Sequence, residues 1–237
     1  MIRKANDQDK AALRDIWCAV FDDTLDYAAF VTDHCLKLGT VLYYPEGLSF
    51  LTLFPLTLHF KGKNILQGAY LYGVATHPRR QRKGFGSMLL ARASEIAPFL
   101  LLYPATHDLQ HFYHKRGFDV PVHIPSPVVR TNLPDRPSPH HPAAAPYTEY
   151  IADAGKQDYT FLWSPSLYDY AYRECLFRGG YVMSPWFCYP QDGNVVCKPY
   201  MNTGLTTNAS YLRALVRFNI TVPGFRSENA LFYLPLD

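Results

Sequence analysis

A stretch of strand-like sequence passes without a break into a basic, glycine-bearing turn and then a helix, and this junction limits what the chain can become. The strand is "ILQGAYLYGVAT", residues 65–76, and "HPRRQRKGFGSMLLARA", residues 77–93, follows it with five Lys or Arg and two Gly. The first turn of a helix leaves backbone N–H groups without helical partners, and the helix dipole adds partial positive charge there. A glycine in that place lets an anion approach the backbone with no Cβ in the way. Gly84 and Gly86, one residue apart and followed by Ser87, open a concavity that suits a phosphate. Arg79, Arg80, Arg82 and Lys83 supply attraction at longer range. A solvated basic turn joining strand to helix is the competing reading.

The pattern upstream supports a mixed α/β chain. "IRKA" reads as an opening strand, and "NDQDKAALRDIWCAVF" as a helix capped by Asn6 or Asp7. "DTLDYAAFVTDHCLKLG" starts at a second cap and closes at Gly39. From Thr40 the period becomes that of strands, punctuated by "PEG" and "KGKN", which gives three consecutive antiparallel strands. After the glycine turn, "GSMLLARASEIA" reads as a helix, "FLLLYPAT" as a buried strand, "DLQHFYHKRG" as a short helix and "FDVPVHIPSPVV" as extended.

Residues 131–148, "TNLPDRPSPHHPAAAPYT", hold five Pro with little apolar periodicity and read as a linker or an ordered crossover loop. The expected organisation is a first domain over 1–130, a Pro-rich linker over 131–148 and a smaller C-terminal α+β domain over 149–237. His140 and His141 lie in the linker without a residue nearby to complete a metal site, so a solvated loop is the reading there. Beyond it, "SPSLYDYAYRECLFRGG" and "NASYLRALVRFNI" read as helices, and "YVMSPWFCYP", "GNVVCKPYM" and "ALFYLPL" as strands. This order faintly repeats the strand–loop–helix–strand order of the first half, as a degenerate copy or as an unrelated α+β appendage. "MNTGLTTNAS" stands where the glycine turn would be, so the second copy would lack the phosphate chemistry.

Composition excludes several classes. With 237 residues, 48% hydrophobic and 18% charged, the chain is globular in character and long enough to bury a core without staples. The balance of 23 basic against 20 acidic residues gives no nucleic-acid surface, so any functional basicity is local. Five scattered cysteines without CxxC spacing read as reduced thiols, and no metal is expected. The N-terminus lacks the apolar core of a signal peptide, and the apolar stretches are shorter than a membrane span, so a cytoplasmic protein is expected.

The turn is neither of two familiar phosphate loops, since GxxxxGK[ST] is absent and GFG lacks the GxGxxG spacing. What remains is Q/R-x-x-G-x-G/A between a strand and a helix. In that setting "YLYGVATHPRRQRKGFGSMLL" resembles the acetyl-CoA loop of the GCN5-related N-acetyltransferase (GNAT) superfamily. "HFYHKRGF", residues 111–118, is similar to that superfamily's later "FY-x-K-x-GF" helix end, and "MIRKANDQDKAALRDIW" to its first strand and helix. The "DTLDYAAF" helix and a separate C-terminal domain also resemble the branch of enhanced intracellular survival-type acetyltransferases.

The resemblance implies a GNAT fold, with a central mixed β-sheet flanked by helices. It implies that the backbone of Val74 and Thr76 pairs with the pantetheine arm of acetyl-CoA, and that Gln81, Arg82, Lys83, Gly84, Phe85, Gly86 and Ser87 receive the pyrophosphate. The implied activity is N-acetyltransfer from acetyl-CoA to a primary amine by direct attack in a ternary complex. The alternative is a non-catalytic acyl-CoA-binding or regulatory module. Tyr113 aligns with the frequent general acid, and a phenol keeps its proton at neutral pH for the leaving thiolate. Many members carry a Glu on the strand before the loop; this strand has none, and Tyr70, Tyr72, His77 and His107 are the candidate bases nearby in sequence. The resemblance to the survival-protein branch implies the Asp237 carboxylates as a further candidate, with a water wire as competitor. Thr106 occupies the place of a frequent Asn that bonds the pantetheine arm. An aromatic acceptor cleft is expected around Tyr43, Phe50, Phe54 and Trp163. The expected partner is a small-molecule or peptide amine, with a homodimer allowed and neither nucleic acid nor membrane.

Overall fold

The computed structural model describes residues 1–131, 144–201, 211–234 and 236. These divide into two compact units. The first comprises Met1–Leu56, Gln67–Asp119 and Val216–Val222; the second comprises Thr57–Leu66, Val120–Leu215 and Pro223–Asp237.

The first unit opens with β1 (Arg3–Lys4), α1 (Lys10–Phe21) and α2 (Leu25–Leu38). Asn6 starts the helical segment, as its spacing predicts: its side chain accepts from Gln8 N at 2.9 Å, while Asp9 accepts from Asn6 N at 2.9 Å. Arg3 forks onto the same Asp9 carboxylate at 2.7 Å through both terminal nitrogens, tying β1 to the helix start. Thr24 caps α2 by accepting from Tyr27 N at 3.3 Å. The two helices turn Leu13, Ile16, Trp17, Tyr27, Ala28 and Val31 inward, at the 3.6-residue spacing that marks an apolar stripe.

Behind these helices lies a mixed sheet of β2 (Thr40–Tyr44), β3 (Ser49–Phe60), β4 (Lys63–Thr76) and β5 (Phe99–Leu102), with β1 on one edge. β1–β2 and β2–β3 are antiparallel, and β4–β5 is parallel. The β3–β4 hairpin turns at Lys61 and Gly62, whose φ values of 48° and 76° suit a tight two-residue turn, as "KGKN" indicates. The crossover that joins the parallel strands β4 and β5 is made by α3 (Phe85–Ser94), which buries Leu89, Leu90 and Ala93. α4 (His107–His114) follows β5.

The second unit holds β6 (Val120–Pro125), β7 (Val128–Arg130), α5 (Ala144–Ala154), β8 (Tyr159–Trp163), α6 (Pro165–Phe177), β9 (Tyr181–Met183), β10 (Trp186–Gln191) and β11 (Asn194–Pro199). After β12 (Tyr211–Phe218) comes β13 (Ala230–Phe232), parallel to both β6 and β8. The antiparallel sheet β7-β11-β10-β9 is separate, with its β10–β11 hairpin turning at Asp192–Gly193.

Three sequence expectations fail here. "NASYLRALVRFNI" is not a helix: Ala214, Leu215 and Val216 are buried in succession, as on a strand covered on both faces, and a short apolar run fits either period. α5 begins at Ala144, inside the stretch read as linker, because Ala-rich sequence directly after prolines favours helix. β8 was also missed, being fully buried and so lacking the alternation that betrays a strand. His140 and His141 lie outside the described residues.

Among the described residues no helix is long and apolar enough to cross a membrane, and no group of three His, Cys, Asp or Glu could hold a metal ion. All five cysteines are free thiols.

Candidate active site

β4 carries the first half of the site, and its course is set by one residue. Gly73 sits within the strand at φ 59°, a left-handed conformation that bends the chain there. The β4–β5 register contains Ala69↔Leu100 and Tyr70↔Leu101 only, so Leu71 to Thr76 extend past it with no β5 partner. Val74 and Thr76, the residues singled out for the pantetheine arm, lie on this stretch beyond the β5 register. The strand end is fastened from the other side. Ser49 Oγ donates to Ala75 O at 2.9 Å and lies 2.7 Å from Thr76 Oγ1, while His77 N donates to Leu48 O at 2.9 Å.

The loop that follows is held by its own ends. His77 Nδ1 accepts from Arg79 N at 3.2 Å, capping a 3-10 turn over Pro78–Arg80, and Gln81 Nε2 donates back to Thr76 O at 3.1 Å. Arg82 and Gly84 are both left-handed, at φ 59° and 83°, and curl the backbone around Lys83 into α3. Gly84 is the N-cap of α3, and no side chain caps that helix. Met88 N, donating to Gly84 O at 3.0 Å, is the first amide with a helical acceptor, which leaves the amides of the first turn directed outward. A Cβ on Gly84 would meet nothing within 4 Å, so the space before it is open. Arg79, Arg80, Arg82 and Lys83 are exposed, and none has an acidic partner among the described residues. The result is an uncapped helix start in a field of unpaired cations.

α4 supplies the second half. A Cβ on Gly86 would lie 3.9 Å from Phe112 Cζ and 4.0 Å from Thr76 Oγ1, so the ends of β4 and α4 and the start of α3 converge there. Tyr113, next to Phe112, is buried, with its ring edge-on to Phe112 and Phe118 at centroid distances of 5.2 and 5.7 Å. Burial pushes its phenol up to about 12, against a smaller opposing effect of Arg116, so it holds its proton at neutral pH.

Other sequence candidates have structural duties. Thr106 Oγ1 accepts from Leu109 N at 3.2 Å and so caps α4. His107 is exposed at the start of α4, its ring stacked on His111 at 5.5 Å. Tyr70 and Tyr72 are buried in the sheet. Tyr43, Phe50, Phe54 and Trp163, expected to line a cleft, are core side chains no more than 4% exposed. Asp237 lies outside the described residues.

One residue escaped the sequence reading. Arg116, at the end of α4, reaches Ser87 in the first turn of α3, with Nε at 3.0 Å and a terminal nitrogen at 2.6 Å from Ser87 Oγ. It fills the variable place of "FY-x-K-x-GF", which is why the motif drew no attention to it.

A strand end, a left-handed turn and an uncapped helix start therefore lie together in the first unit. The family model for the acetyltransferase (GNAT) domain matches residues 1–120, and the chain belongs to that family. Among solved structures, a GCN5-related N-acetyltransferase from Anabaena variabilis is 13% identical, with 93% of this chain and 73% of that chain covered at a TM-score of 0.61. A GCN5-related N-acetyltransferase from Kribbella flavida is also 13% identical, with 92% and 71% covered at a TM-score of 0.54. A GNAT family acetyltransferase from Brucella melitensis, solved in complex with acetyl-CoA, is 23% identical, with 47% of this chain and 80% of that chain covered at a TM-score of 0.37. None of the curated proteins compared matches the chain.

Proposed function

We propose that the chain is an N-acetyltransferase that moves the acetyl group of acetyl-CoA onto a primary amine by direct attack in a ternary complex. The observation that carries this reading is the uncapped start of α3 behind left-handed Gly84, flanked by Arg79, Arg80, Arg82 and Lys83, which have no acidic partner among the described residues. Those amides and charges suit the pyrophosphate of the donor, with Arg82 to Ser87 as its cradle and Gln81 bracing the loop. The backbone of Val74 and Thr76, beyond the β5 register, suits the amide-bearing pantetheine arm, which would add to β4 as a strand would.

In the transfer, the amine nitrogen forms a bond to the thioester carbon and the C–S bond breaks. The thiolate so formed takes the proton that Tyr113 holds, and the amine gives up its own proton to a base or to water. β4 carries no Asp or Glu from Lys63 to Thr76, which favours a second reading, an acyl-CoA-binding module without turnover. Thiol release from acetyl-CoA, followed over a panel of small amines and peptides, separates the two. Wild type should release CoA with at least one amine, and Tyr113→Phe should lower kcat about 10²-fold or more with donor affinity unchanged. Turnover that Tyr113→Phe leaves intact contradicts the role given to the phenol.

A further inference from the structure

We propose that Arg116 is a positioning residue for the donor's pyrophosphate, acting through the hydroxyl of Ser87; this rests on the acetyl-CoA reading above. A serine hydroxyl has two lone pairs and one proton. Two N–H groups of Arg116 fill the lone pairs of Ser87 Oγ, at 3.0 and 2.6 Å, so its proton is turned away from the guanidinium. Among the described residues that proton has no acceptor. Ser87 lies in the first turn of α3, beside the amides that no side chain caps, so its free donor adds to theirs.

The guanidinium is fixed before any ligand arrives. One terminal nitrogen donates to Phe112 O at 2.5 Å, and the guanidinium carbon stands 3.5 Å from the centroid of the Phe112 ring. The backbone of Arg116 is held from both sides: its N–H donates to Tyr113 O at 2.8 Å, and its carbonyl accepts from Arg217 at 2.8 Å. Arg116 is half-buried, yet no carboxylate pairs with it among the described residues. A partly desolvated cation without a counter-ion is unfavourable by itself, and an anion at the α3 start relieves it.

The test is calorimetric titration of CoA, 3′-dephospho-CoA and inorganic pyrophosphate into wild type, Arg116→Gln, Arg116→Lys and Ser87→Ala, with thermal melts to confirm folding. Arg116→Gln should weaken CoA and 3′-dephospho-CoA equally, by about tenfold, the scale of one charge-assisted hydrogen bond. Pyrophosphate should weaken alongside them, and Ser87→Ala should show the same pattern at about threefold. Arg116→Lys keeps the charge but cannot place two N–H groups on Ser87, so it should restore part of the loss; it also serves if the Gln variant does not fold. Equal binding by wild type and both Arg116 variants overturns the proposal, as does a loss confined to CoA, which would assign Arg116 to the 3′-phosphate. Wild type that binds neither nucleotide overturns the acetyl-CoA reading instead.

Discussion

Replacing Gly73 by Ala attacks the bend in β4 that carries Val74 and Thr76 past β5. An ideal Cβ there would stand 2.6 Å from Trp17 Cζ3, and 3.4 and 3.5 Å from two further atoms of the indole. Carbon atoms rest at about 3.5–4.0 Å, so the indole must retreat by about 1 Å. It has little freedom to do so. Trp17 is 4% exposed, donates from Nε1 to Asp23 at 2.8 Å, and packs against Phe21 and Tyr72 at centroid distances of 4.4 and 5.6 Å. Overpacking of this kind costs about 1–3 kcal/mol, and holding a non-glycine residue at φ 59° adds about 1–2 kcal/mol. A total of about 2–5 kcal/mol should lower Tm by roughly 5–15 °C in a chain of this size. Trp17→Phe removes the clashing atoms, so the double variant should lose less than the sum of the two singles in a melt followed by circular dichroism. Strict additivity, or a Gly73→Ala variant within 2 °C of wild type (about 1 kcal/mol or less), refutes the steric account of the bend.

Three further expectations follow from the same contacts. Gly84→Ala has open space but a left-handed φ, so it should cost about 1 kcal/mol in a melt. Gly86→Ala has neither obstacle and should leave stability within about 0.5 kcal/mol of wild type. The Arg3 fork, then the Asn6 amide, hold the Asp9 carboxyl below its ordinary 3.8, so its contribution is complete above that value and lost as pH falls through the depressed one. Asp9→Asn should therefore lower Tm near neutral pH by about 2–4 °C, the effect of about 1 kcal/mol, and match wild type at about pH 2; a gap that persists in acid contradicts the linkage.

The first 120 residues were legible because their signals are local. Asn6 and Thr24 announce helix starts, "KGKN" announces a hairpin, and Gly84 marks the turn into α3. The bend at Gly73 was not legible, because a glycine in a strand reads the same whether it kinks the chain or merely fills a small space. Arg116 was hidden for another reason. Its partner Ser87 is 29 residues away, and only the return of α4 to the start of α3 joins them. The aromatic residues taken for a cleft failed because Phe50 and Phe54 look alike in sequence whether they face a ligand or a core. Farther along the chain, β8 and the middle of β12 are strands made by burial on both faces, a cue that alternation cannot supply.

The central claim is that the start of α3 receives the donor's pyrophosphate, and titration of acetyl-CoA into wild type and Gly84→Glu tests it most directly. Wild type should bind with a Kd on the order of micromolar, about −8 kcal/mol. The variant, with a carboxylate placed before the first-turn amides, should lose that binding while melting as a folded protein. Acetyl-CoA binding that survives Gly84→Glu unchanged would place the donor elsewhere and contradict the account.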